Sequence, residues 1–112
     1  MRQGVLSVSV ASGSSVSGNI DLRGGRLAAI DVPTITSGDT FLQGSFDTTS
    51  ASFKRILNAP LNGPTSGDLR LATGAGSCMA LLPNTLPFPA YVRLETAVAQ
   101  AAPRTFSVRF GN

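Results

Sequence analysis

Hydrophobic and polar residues alternate along most of the chain. In VLSVSV (residues 5–10), Leu6, Val8 and Val10 share one face, and Ser7 and Ser9 take the other. That period of two marks a half-buried strand. The polar stretch ASGSSVSG (11–18) then reads as a flexible connector. In NIDL, Ile20 and Leu22 lie on one side and Asp21 on the other. After Gly24-Gly25, the run RLAAIDV groups Ala28, Ile30 and Val32, and Pro33 ends it because proline has no N–H for a ladder. TFLQGSF (40–46) carries large residues on both faces, Phe41 on one and Leu42 with Phe46 on the other, which predicts a central strand. DTTSA is a turn, and FKRIL pairs back as a hairpin. LRLAT alternates and CMALL is a short apolar strand in which Cys78 is expected to be buried. In YVRLETAV, Val92, Leu94 and Thr96 face inward. RTFSVRF sets Phe106, Val108 and Phe110 against Thr105, Ser107 and Arg109. The short AVAQAA run ends at Pro103 and reads as a strand end plus loop.

The expectation is an all-β chain: a jelly-roll-like antiparallel β-sandwich of about eight or nine short strands. Residues 1–15 form an N-terminal strand and connector, an arm that could swing out, and residues 16–112 form the sandwich.

Composition sharpens this picture. A length of 112 residues suits one domain. Charged residues make up 13%, about half the usual share of ~25%. Such a surface must be covered by Ser, Thr, Asn and Gly or by another protein. The net charge of +3 rests on arginine, because Lys54 is the only lysine. A nucleic-acid binder would mix lysines into a basic stripe, so none is expected as a partner. Scattered arginines suit interface forks that grip carboxylates, or simply a GC-rich coding bias. The N-terminal stretch has no continuous apolar core of a signal peptide, and no run approaches a membrane span, so cytoplasmic synthesis without a membrane is expected.

Candidate chemistry is sparse. Histidine is absent, which removes the serine triad, the commonest general base and most zinc sites. A single cysteine allows no internal disulfide. Of Asp21, Asp31, Asp39, Asp47 and Asp68, Asp39 and Asp68 follow a glycine; turn capping is the favoured reading of the acids, and no glycosidase or calcium spacing stands out. RGGR (23–26) resembles an anion nest, but a P-loop needs a Lys-Ser/Thr pair and a following helix, whereas here a strand and proline follow. Neither an enzyme nor a cofactor is expected. Phe88, held between prolines in LPFP, is a rigid loop aromatic suited to a partner's pocket.

The order of motifs in IDLRGGRLAAIDVPTITSGDTFLQGSFDTTSASFKRIL, followed by YVRLETAVAQAAPRTFSVRF, resembles small β-sandwich virion proteins of tailed bacteriophages, closest to capsid cement (decoration) proteins. The shared pattern is a "DL-G" step, an apolar strand ending in Pro, "TF-x-S-x-D", a return strand and a Gln-containing turn before a final alternating strand. One departure is Thr48, which follows Asp47 where glycine is frequent.

The resemblance implies a structural protein on the capsid exterior. It would bind major capsid proteins as a homo-dimer or homo-trimer and would be made in a host bacterial cytoplasm. Under that reading Arg23, Arg26 and Arg55, at or near turns, would meet acidic capsid patches. Leu6 and Val8 of the N-terminal strand would add to a neighbour's sheet, and Phe88 would anchor in a pocket. Two alternatives stay open: a tail, baseplate or fibre-associated module, and a carbohydrate-binding module for host attachment, which the absence of tryptophan and the single tyrosine weaken.

Overall fold

The computed structural model describes residues 4–22, 26–56, 70–72, 74–81 and 90–111, with backbone alone at Arg26, Arg70, Leu81 and Gly111. Its strands are β1 (Gly4–Val10), β2 (Ile20–Asp21), β3 (Arg26–Val32), β4 (Thr40–Ser45), β5 (Lys54–Arg55), β6 (Arg70–Ala72), β7 (Cys78–Leu81), β8 (Tyr91–Thr96) and β9 (Arg104–Gly111). They form two antiparallel sheets. Sheet one has the order β1-β9-β3-β7, and sheet two runs β2-β8-β4-β5, with β6 also paired to β4.

The pairing follows a simple rule. β1 pairs with β9, β2 with β8, β3 with β7, and β4 with β5 and β6. The chain is therefore one long antiparallel hairpin whose closed end lies after β4. Rolling it brings β9 against β3 and β8 against β4, which is the jelly-roll arrangement. The chain is nearly all β, as its period-two pattern predicts.

The core lies between the sheets. Val10, Ile20, Leu22, Leu27, Ile30, Val32, Leu42, Val92, Leu94, Phe106 and Val108 are buried there. The alternation in β8 and β9 reads directly onto this geometry: Val92, Leu94 and Thr96 are buried, as are Phe106 and Val108, while Thr105 and Arg109 face out. β4 is the central strand of sheet two, with β8 on one side and β5 and β6 on the other.

Three expectations change. In β3 a bulge between Leu27 and Ala29 shifts the register against β9. One extra residue in a strand re-aims its neighbours, so Leu27 is buried and Ala28 exposed. Phe41 keeps the face opposite Leu42 that the pattern predicts, on the outer side of sheet two, where a guanidinium covers it. Phe46 is 88% exposed, because β4 ends at Ser45 and leaves it beyond the last pair. Cys78 is exposed rather than buried. It is the first residue of β7, at the margin of sheet one, and only its thiol approaches the Leu71 carbonyl at 3.7 Å.

The connector after β1 is hydrogen-bonded along most of its length. Gly13, at φ +82°, turns the chain so that its N–H reaches the Gln100 carbonyl at 2.7 Å. Thr96 N–H donates to the Ser15 carbonyl at 2.8 Å and Ser17 N–H to that of Leu94 at 2.9 Å. The serine-rich composition that reads as flexible here supplies short side chains to a packed turn. β1 itself pairs with β9 over all seven of its residues.

Candidate functional site

The densest side-chain constellation lies on the outer face of sheet two. The register places Gln43 between Arg55 and Arg93, and Phe41 beside Glu95. Arg55 forks onto Glu95, Nε donating to Oε1 at 2.9 Å and Nη2 to Oε2 at 2.7 Å. Gln43 Nε2 donates to the same Oε1 at 2.8 Å, and Gln43 Oε1 accepts from Arg93 Nε. Arg93 continues to Ser50 Oγ at 3.0 Å. Beneath these groups the Arg55 guanidinium sits 3.9 Å from the Phe41 ring centre and that of Arg93 4.5 Å from Phe53, both within cation–π reach.

This ladder is self-satisfied. The hydrogen bond from Arg55, with further help from Gln43, holds the Glu95 carboxyl below its ordinary range against the opposing effect of burial. Burial lowers the Arg93 guanidinium, and Glu95 offsets part of that. A carboxylate so held is ionised and already gripped by its own chain, so the ladder fastens β5, β4 and β8 together.

The outer face of sheet one differs in kind. Its outward row across β1, β9, β3 and β7 is Ser7, Ser107, Asp31 and Met79. The next row is Val5, Arg109 and Ala29. Val5 is 62% exposed and Met79 60%. Ser9 Oγ and Thr105 Oγ1 share one hydrogen bond of 3.2 Å. The result is a surface of small polar residues with exposed apolar ones at both margins. β1 ends this sheet and, among the described residues, pairs only with β9 apart from a single bridge between Val10 and Ser17.

Three of the candidate side chains are described: Arg55, Leu6 and Val8. Arg55 lies in β5 and is committed to Glu95. Arg26 opens β3, its backbone paired with Gly111, and its side chain lies outside the described residues, as do Arg23 and Phe88 altogether. Leu6 is 39% exposed, at the open end of the inward face of β1. Val8, on the same face, is half-buried against the core. Among the described side chains, Arg55 lies in sheet two and Leu6 and Val8 lie in β1 of sheet one.

Two features were missed by pattern reading. Phe46 projects from an ordered turn: Asp47 Oδ1 accepts from Thr49 N–H at 2.9 Å, and Oδ2 from Ser52 Oγ at 3.4 Å. The Thr49 N–H, followed by Ser52, pulls the Asp47 carboxyl below its usual range. Thus an Asx turn does at Asp47-Thr48 what a glycine turn would do. The signal was present, since turn residues follow Phe46 at once. Gln100 is the other feature. Buried at 2% exposure, it accepts from Thr36 N–H through Oε1 at 2.7 Å and donates through Nε2 to the Val98 carbonyl at 3.0 Å. It fastens three connections at one end of the sandwich and is structural.

No family model matches the chain, and neither a curated protein nor a solved structure is found similar to it. Among the described residues no group of three or more His, Cys, Asp or Glu side chains is placed to hold a metal ion. Nor, among the described residues, is any helix long and apolar enough to cross a membrane.

Proposed function

We propose that this chain is a structural protein of a tailed-bacteriophage virion, a capsid cement (decoration) protein on the exterior of the mature head. In this reading it binds the outer surface of the shell and holds neighbouring major capsid proteins together. The observation that carries it is the division of labour between the two sheets. On the outer face of sheet two Arg55, Glu95 and Arg93 are bonded within the chain, while sheet one presents a flat, weakly charged face with exposed Val5 and Met79 and a strand edge beside it. Surfaces of that composition suit burial against another protein. The jelly-roll topology agrees with the motif resemblance, although a fold alone does not fix a function.

The mechanism is mechanical. Each copy bridges adjacent shell subunits, and many copies on a symmetric lattice add weak contacts into strong retention against the pressure of packaged DNA. Phe46, which precedes the Asp47 turn and is 88% exposed, is an apolar side chain of the type that dominates interface energetics when buried by a partner.

The test is the copy number of this chain in purified particles, measured by quantitative mass spectrometry. On the order of hundreds of copies per particle is expected for a lattice-bound protein, with fewer in particles carrying Phe46→Ser. Three to a few dozen copies would move the protein to the tail, baseplate or fibre. Absence from particles, or saturable binding to a glycan array, overturns the proposal.

A further inference from the structure

We draw no further inference here: the strongest candidate, the surface patch at the end of β4 where Phe46 stands 88% exposed ahead of the Asp47 turn, is an unpartnered apolar surface, and nothing in the structure shows what covers it.

Discussion

The outer faces of the two sheets solve the same problem in opposite ways. Each must cover one side of a thin sandwich with few charged residues. Sheet two does so with a closed network, Arg55–Glu95–Gln43–Arg93, laid over Phe41 and Phe53. Its aromatic rings are sealed by guanidinium groups whose own partners lie in the same chain. Sheet one leaves Ser7, Ser107, Asp31 and Arg109 on its face, with Val5 and Met79 open to solvent. A face that satisfies its own polar groups gains rigidity and has little left for a partner. The reverse holds for a face that does not. Arginine count alone therefore says nothing about docking, since what matters is whether the fork is already filled.

The largest expected effect tests what the two faces share. Phe106 projects from β9 into the core and is fully buried. Phe106→Ala removes its contacts and leaves a cavity, which costs about 3–5 kcal/mol. The urea midpoint should fall with little change in slope. A loss below about 1 kcal/mol would mean that the sheets do not depend on one interior, and the comparison of their outer faces would lose its common frame.

Much of that interior was legible because burial in a strand repeats every second residue. β8 and β9 are paired on both sides and uninterrupted, so their alternation survives intact in Val92, Leu94, Phe106 and Val108. Where the pattern misled, the cause was an event that periodicity does not carry. A bulge moved Ala28 outward, the end of β4 stranded Phe46, and the margin of sheet one exposed Cys78. The candidate site was less legible still. Arg55 and Glu95 are 40 positions apart, and only the rolled register of β5, β4 and β8 brings them together. An arginine beside a turn therefore looked available for a partner, when the fold had already assigned it one.

The next effect separates the faces. Glu95→Ala removes the acceptor that joins Arg55 and Gln43. Arg55 is 38% exposed, so water compensates part of the loss, and the cost is about 1–2 kcal/mol at neutral pH. The pH dependence has a defined sign. The folded-state pKa of Glu95 lies below its ordinary value of 4.5. Its stabilisation is therefore complete above that value and disappears as the pH falls through the lowered one. Asp47, lowered mainly by the Thr49 N–H, acts in the same direction. Denaturant midpoints measured from neutral pH down into the acid range should decline for the native chain, and Glu95→Ala should lose part of that slope. An unchanged acid limb would show that the ladder decorates sheet two without fastening it.

The smallest effect on stability is the sharpest test of the difference. Ser107 lies at the centre of the outer face of sheet one, between Ser7 and Asp31. Ser107→Lys adds a long charged side chain that can extend into water, beside an existing carboxylate. A surface change of this kind shifts stability by no more than about 0.5 kcal/mol. If the face is kept flat for a shell, the same change should lower the number of copies retained on particles by about tenfold or more, because a long, strongly hydrated side chain at the middle of a flat contact must be desolvated and holds the two surfaces apart. A large loss of stability would instead make the serine row a structural element like the ladder on the opposite sheet. Unchanged retention would shift the docking surface away from sheet one, toward the end of the sandwich where Phe46 projects.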